Sequence, residues 1–468
     1  MNKSLLKFYH QLPPSARDIV ASIRGYYLRS WRYGPETEHW ATEAHEREYW
    51  STEKWKAYRE KRLASVLHRA ATQVPYYRDQ WAERRRQGDK ASWDYLENWP
   101  ILEKNVLRAD ALRFLADDCN PKKMFHEHTS GTTGKSLDLW WSWETVKRWY
   151  ALFEARWRNW YGVSRHDRWA IIGGQLITPI EQRHPPFWVW NSAFHQLYMS
   201  SYHLAPDLIP AYLDALARYK IKYLFGYTSS LYSLAQGALN IGRDDLQFAV
   251  AITNAEPVFD YQRQMIQKAF HTPVRETYGM SEIVIAAGEC EAEQMHLWPE
   301  VGWVEVLEDN QPVAAGMVGD LVCTGLFNLD MPLIRYRLGD RAALSSDESS
   351  CDCGRTLPRL KVVEGRTDDL LYTSDGRRIG RLDPIFKQNL PVLEAQIVQE
   401  KLDYIRVLYV PSADYTSEAG QSIVKGIQDR MGAVQVILEA VDKVPRTSNG
   451  KFRAVICNLS AEERQQFM

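Results

Sequence analysis

The chain has little of what would place it in a specialised class. Six cysteines in 468 residues are too few for a disulfide framework, and they read as reduced thiols or metal ligands. An excess of one charge is also missing. The 58 Lys and Arg against 59 Asp and Glu leave a net charge of −1, which argues against a surface built to neutralise nucleic-acid phosphates. No apolar run reaches the roughly 18 residues that span a bilayer. The opening MNKSLLKFYHQLPPSARD has no apolar core of signal-peptide length ahead of Pro13 and Pro14. Together these absences predict a cytoplasmic protein without a nucleic-acid partner or a transmembrane segment, and they are compatible with loose attachment to a membrane surface. No internal repeat or low-complexity tract stands out. Aromatic residues are plentiful: 18 Trp, 25 Tyr and 14 Phe make up 12% of the chain and argue against disorder.

The pattern along the chain divides it into three. Residues 1–100 read as helical, polar-faced and wrapping, with Leu63, Val66, Leu67, Ala70 and Ala71 at helical spacing before Pro75 ends that helix. Residues 101–365 read as a large α/β domain. Short apolar runs (WAIIGG at 169–174, IKYLFGY at 221–227, FAVAITNAE at 248–256) alternate with helical patches, which predicts partly parallel pairing. From about 300 the texture becomes hairpin-like around an Asp-Asn turn. Residues 366–468 read as a small α+β domain, with strands in IVQEKLDYIRVLYV and a helix in QSIVKGIQDRMG.

The first chemical signal is HTSGTTGKS at 128–136. Gly131 and Gly134 permit close approach of backbone to an anion, and Ser130, Thr132 and Thr133 add hydroxyls. A Walker A loop is excluded by spacing, because the glycine required five positions before Gly134 is Thr129. The following LDLWWSW reads as a strand, whereas a Walker A loop opens a helix. A phosphate loop of another geometry and a plain polar hairpin turn both remain.

Four later segments bear on that choice: TYGMSE at 277–282, YRLGD at 336–340, GRTDDL at 365–370 and PRTSNGKFR at 445–453. With the loop, and in this order, they resemble the motifs of the adenylate-forming (acyl- and aryl-CoA ligase) superfamily over about residues 60–468. VPYYRDQW, FGYTSSL, NAEPV and CDCGRTLPRL resemble signatures of its phenylacetate-CoA ligase, coenzyme F390 synthetase and CapK-like group. Two positions depart from the pattern: Ser136, where many relatives have Pro, and Leu338, where the common form is YRTGD. The leucine removes a hydroxyl near the nucleotide.

The resemblance implies a large ATP- and acid-binding domain with a small, mobile C-terminal lid. The cofactors it implies are ATP and Mg2+, with CoA as a co-substrate. It implies that Ser130, Gly131, Thr132, Thr133 and Gly134 grip phosphates. Glu282 would hold Mg2+, and Tyr278, with Gly279 beside it, would stack on adenine. Glu256 would lie near the adenine, Asp340 would take the ribose hydroxyls, and Arg366 would lie near ribose or phosphate. Lys451 would place a cation at the reacting carboxylate, and Asp368 and Asp369 would form the hinge. Taken singly, Tyr278 reads as a core aromatic, Glu282 as a surface carboxylate, Asp340 as a turn residue and Lys451 as a solvated lysine. The ordered set favours function.

The reaction implied is activation of a carboxylic acid as its adenylate, then transfer to CoA or to another thiol, amine or hydroxyl acceptor, with capsule or secondary metabolism as a possible setting. An adenylyltransferase that stops at nucleotide transfer, or a degenerate nucleotide-binding scaffold, are the alternatives. By the same resemblance Cys290, His296, Cys351 and Cys353 would form a closed Cys3His zinc site. Reduced, unliganded cysteines are the alternative there. Cys119, Cys323 and Cys457 read as packing residues, and His126 and His128 beside the loop as structural histidines, with positioning of a substrate as the alternative. The stretch at 184–203 reads as a wall of the acid pocket.

Overall fold

The computed structural model describes residues 3–128, 137–179, 182–346, 351–366, 371–373, 378–379, 391–446 and 452–465. A 13-stranded sheet runs through the larger part and changes character halfway. In one half, Gln196–Ser200, Trp169–Gly173, Tyr223–Tyr227, Ala251–Asn254 and Val274–Gly279 lie side by side and parallel. Helices Ile209–Arg218, Thr228–Asn240 and Asp260–Phe270 fill the crossovers between successive strands. Both faces of such strands are covered, which is why they read as short continuous apolar runs.

In the other half, Ala286–Glu289, Met295–Leu297, Arg359–Arg366, Tyr336–Leu344, Gly319–Gly325 and Gly302–Glu308 follow in antiparallel order. Asp309 and Asn310 turn the next hairpin with φ of 50° and 63°. That is the left-handed pair a two-residue turn matched to strand twist requires. The parallel and antiparallel halves meet where Val274–Gly279 pairs with Ala286–Glu289. In open α/β sheets, ligands bind beyond the carboxyl ends of the parallel strands.

The first hundred residues are helical. Ser51 caps Thr52–Gln73 by accepting from the Lys54 amide, and Trp55, Val66, Leu67, Ala70 and Ala71 are buried along it. Pro75 does more than end this helix, because it opens the next one, Pro75–Arg86, at the position where a missing N–H costs nothing. Val66, Leu67, Tyr77, Trp81 and Trp99 join Leu321, Tyr336 and Leu360 of the antiparallel strands in one core. The wrapping segment is therefore half of that core. Its outward faces are not uniformly polar as the composition suggested, since Pro14–Arg32 exposes Ile19, Val20, Ile23, Tyr26 and Tyr27.

A separate four-stranded sheet, ordered Gln435–Ala440, Tyr404–Pro411, Val392–Lys401, Val455–Cys457, carries helix Ser417–Met431 on a core of Ile397, Ile405, Val407, Ile423 and Ile427. Among the described residues, no helix is long and apolar enough to cross a membrane.

The link between the two halves, at Val284, leaves no room for a side chain at Gly302. A Cβ there would sit 1.7 Å from the Val284 carbonyl oxygen. Gly302→Ala is expected to cost about 2–3 kcal/mol or more, read as a lowered urea midpoint at unchanged m. A change below about 0.5 kcal/mol, the range of neutral surface substitutions, would mean the strands tolerate separation.

Candidate active site and metal centre

Three carboxylates gather around the join, each held by a specific donor. Glu256 follows strand Ala251–Asn254 after Ala255 turns the chain at φ 62°. Its carboxylate accepts from the Ser229 amide at 2.8 Å and the Ser229 hydroxyl at 3.1 Å. Ser229 lies in the first turn of helix Thr228–Asn240, where unpaired amides and the helix dipole favour an anion. Burial nevertheless pushes the Glu256 carboxyl upward, against the pull of these amides and of Arg446. A third donor comes from the C-terminal segment: the Phe452 amide meets the same carboxylate at 2.5 Å. Arg446 lies over the Phe452 ring at 4.7 Å and is ion-paired with Glu394. The backbone next to position 451 thus reaches the carboxyl end of the parallel sheet.

Tyr278 stands near the end of the last parallel strand, and its hydroxyl donates to Asp340 at 2.7 Å. Asp340 follows Gly339, whose φ of 83° is in the left-handed region that favours glycine. Across the antiparallel pair, Asp340 is in register with Arg366, so those two motifs adjoin. Glu282 lies in the turn after Tyr278 and Gly279 and is buried. It accepts from the Tyr336 hydroxyl at 3.0 Å and from Lys104 at 3.2 Å.

Glu256, Tyr278, Gly279, Glu282, Asp340 and the backbone of Arg366 therefore share one region. Ser130, Gly131, Thr132, Thr133, Gly134, Asp368, Asp369 and Lys451 lie outside the described residues. The flanks of the glycine loop are described. Phe125–His128 and Asp138–Trp141 form an antiparallel hairpin, with the strand that the Walker A alternative lacked. His126 accounts for itself within it, paired with Asp138 at 2.9 Å and stacked on Trp140. In the 184–203 stretch, His203 is buried between the Ser200 hydroxyl and the Pro179 carbonyl, which is a structural arrangement. Leu338 points into the main core.

Lys104, Tyr336 and Ser229 were not singled out in the sequence. Tyr336 opens the YRLGD motif and was within reach. Lys104 had a fainter sign, a cation at the first position of helix Lys104–Ala109, where the helix dipole disfavours it unless a carboxylate is near.

A second cluster is separate. Strand pairing sets Met295–Leu297 between Ala286–Glu289 and Arg359–Arg366, which brings Cys290 and His296 beside the loop of Cys351 and Cys353. The four donor atoms all lie within 4.8 Å of one another. Cys290 and Cys351 sulfurs are 3.7 Å apart, and Cys353 sulfur is 3.3 Å from His296 Nε2. His296 Nδ1 meets the Leu357 carbonyl at 3.0 Å, which leaves Nε2 as the lone-pair nitrogen. Burial lowers His296 to about 4, so its ring is neutral, and raises the metal-free Cys290 thiol to about 12. Three sulfurs, of which Cys353 is partly exposed, and one buried neutral imidazole suit a tetrahedral cation.

Around it, Glu48 from the helical segment accepts from Trp160 at 2.8 Å and Arg355 at 2.9 Å. Arg359–Arg366 runs from this cluster to Arg366, a span of roughly 23 Å at strand rise. That distance separates the cluster from the carboxylate region.

Residues 371–458 match the model of the CapK C-terminal domain. The chain is 27% identical to protein CapK of Staphylococcus aureus, over 80% of this chain and 82% of that one. It is 28% identical to a phenylacetate-coenzyme A ligase of Thermus thermophilus, over 46% of this chain and 55% of that enzyme. Among solved structures, 2-hydroxyisobutyryl-CoA ligase in the postadenylation state with 2-HIB-AMP superposes with a TM-score of 0.68 at 20% identity, covering 90% of this chain and 94% of that one. Residues 371–458 thus match the CapK C-terminal domain, the chain has the fold of 2-hydroxyisobutyryl-CoA ligase, and CapK and phenylacetate-CoA ligases are among the proteins it is similar to.

Proposed function

We propose that the chain is an ATP-dependent ligase that activates a carboxylic acid as its acyl-adenylate and then passes the acyl group to CoA or another nucleophile. The observation that carries this reading is the convergence of Glu256, Tyr278, Glu282 and Asp340 at the join of the sheet, with the Phe452 amide reaching Glu256. A relative that is a phenylacetate-CoA ligase and a fold shared with a ligase holding an acyl-AMP support it.

In the first half-reaction a carboxylate oxygen attacks the α-phosphorus of ATP, and the bond to pyrophosphate breaks. Two anions approach, so fixed cations and N–H groups must already be in place. Lys451, one residue before the docked Phe452 amide, would supply a cation there, and the 130–134 loop would hold the phosphates. Asp340 would bind the ribose hydroxyls, with Tyr278 against the adenine and steadying Asp340. Arg366, opposite Asp340, would lie by the ribose or phosphate. The donor set fits magnesium: Glu282 is a buried carboxylate oriented by Lys104 and Tyr336, and hard oxygen ligands suit that ion. Magnesium would neutralise phosphate charge. In the second half-reaction the acceptor attacks the acyl carbon and AMP leaves. Turning of the 366–468 unit about Asp368 and Asp369 would break the Phe452–Glu256 contact and open the adenylate to the acceptor.

The match of residues 371–458 to the CapK C-terminal domain leaves the acceptor of this last step open to a second reading. An amine or hydroxyl acceptor, as in polysaccharide assembly, would then replace CoA, and the product (amide or ester rather than thioester) distinguishes the two. Six cysteines in 468 residues, too few for a disulfide framework, support a reducing compartment, the cytoplasm.

We assign Cys290, His296, Cys351 and Cys353 as a structural zinc site. With Zn–S of about 2.3 Å, a tetrahedral edge is about 3.8 Å, close to the 3.7 Å between Cys290 and Cys351 sulfurs. Elemental analysis of protein purified without chelator should find one zinc per chain, and Cys353→Ser should lose it and melt lower. A content near zero in the unsubstituted protein would retire the assignment. For the ligase reading, ATP–pyrophosphate exchange across a panel of acids should single out a substrate class. Lys451→Ala should lower that exchange by about 10²–10³-fold with an unchanged melting curve. Undiminished exchange in the variant would remove Lys451 from the mechanism.

A further inference from the structure

The first two helices present the wrong face to water. Lys3–Gln11 and Pro14–Arg32 are tied down on their inner sides. Arg17 donates to Thr178 at 2.8 Å, and His10 meets the Leu176 carbonyl at 2.9 Å. Asp18 accepts from the Trp190 amide at 2.9 Å, and Ser22 bonds the backbone of Trp190 and Ser192. Gly25 lies so close to Asn191 that a Cβ would meet its side chain at 2.1 Å. These contacts cover the edge strand Trp188–Asn191, which would otherwise offer unpaired backbone groups. The inner face is thus fully employed, and the opposite face should be polar.

It is apolar instead. Leu5, Phe8, Ile19, Ile23, Tyr26 and Tyr27 are each between 56% and 65% exposed. Ile19, Ile23, Tyr26 and Tyr27 follow the i, i+4, i+7, i+8 spacing of one helix face. Leu5 and Phe8 continue the pattern one turn apart on the first helix. Single exposed apolar residues are ordinary; a stripe at helical spacing on two consecutive helices is a contact surface.

Charge selects the occupant. Residues 3–32 carry six Lys and Arg and a single acid, Asp18; Asp18 and Arg17 are both turned inward, onto Trp190 and Thr178. Lys7, Arg24 and Arg29 are exposed alongside the apolar stripe. A second copy of the chain would set this cationic face against itself. Apolar residues and tyrosines flanked by basic residues match the boundary of an anionic bilayer, where rings and aliphatic side chains enter the acyl region and cations meet headgroup phosphates. We infer that Lys3–Gln11 and Pro14–Arg32 form a membrane-surface anchor that docks the protein on anionic lipid without crossing it.

The test is flotation of the full-length protein with vesicles of phosphatidylcholine alone or with 30% phosphatidylglycerol, a composition chosen for the assay. The protein is expected to float with the anionic vesicles, to release as salt rises, and to float poorly with phosphatidylcholine alone. Ile19→Ser/Ile23→Ser/Tyr27→Ser should abolish flotation. These side chains face solvent, so the melting curve and the ATP–pyrophosphate exchange rate should hold. Arg24→Glu should weaken flotation by about fivefold or more for the lost cation. No flotation of the unsubstituted protein at low salt would overturn the inference, as would equal flotation of the triple variant. So would a concentration-dependent dimer, removed by the triple substitution, in a protein that ignores vesicles.

Discussion

One strand, Tyr336–Leu344, carries the interactions on which the candidate active site depends. Tyr336 and Asp340 lie four residues apart on it, with an irregularity opposite Asp320 and Val322 between them. One hydroxyl–carboxylate contact fixes Glu282, and the other joins Asp340 to Tyr278. Since the strand also pairs with Arg359–Arg366 and receives the Leu102 backbone, three distant segments have their positions set by one strand. Buried carboxylates are stable only when donors meet them, so the chain is committed to bringing these segments together.

The helical segment takes part in this framework more deeply than a wrapping layer would. Its apolar residues supply one side of the core that the antiparallel strands supply from the other. Its Glu48 accepts from Arg355 and Trp160 beside the cysteine–histidine cluster, and Arg47 and Arg156 both meet Glu300. Removing one member of such a buried network leaves a charge without its partner, which is the costly case. The same segment turns an apolar stripe outward, so one element joins the core, the metal-type cluster and the proposed lipid-facing surface.

Legibility in the sequence followed the physics of each signal. Parallel strands announced themselves as short apolar runs, and the Asp309–Asn310 turn by its residue types. Residues held by motif were nameable because a motif is local: Tyr278, Glu282 and Asp340 each sit in a few quoted letters. Lys104, Ser229 and Glu48 act through partners 178, 27 and 307 positions away, and nothing local marks such a distance. The two departures from the family pattern differ in the same way. Leu338 is explained by the core it enters, whereas Ser136 lies outside the described residues. The outward apolar stripe was missed because a helix count by composition averages over faces, and only the packing tells which face is left over.

The central claim is that Tyr278 and Asp340 act as one unit in a nucleotide crevice, and AMP binding tests it without knowledge of the acid. Calorimetry on the unsubstituted protein, Tyr278→Phe, Asp340→Ala and the double variant closes a cycle. The account predicts that each single substitution weakens AMP binding about tenfold or more, and that the double variant is weaker by no more than the worse single, because the two groups share one contact. Unchanged AMP affinity in Asp340→Ala, or fully additive losses in the double variant, would contradict it.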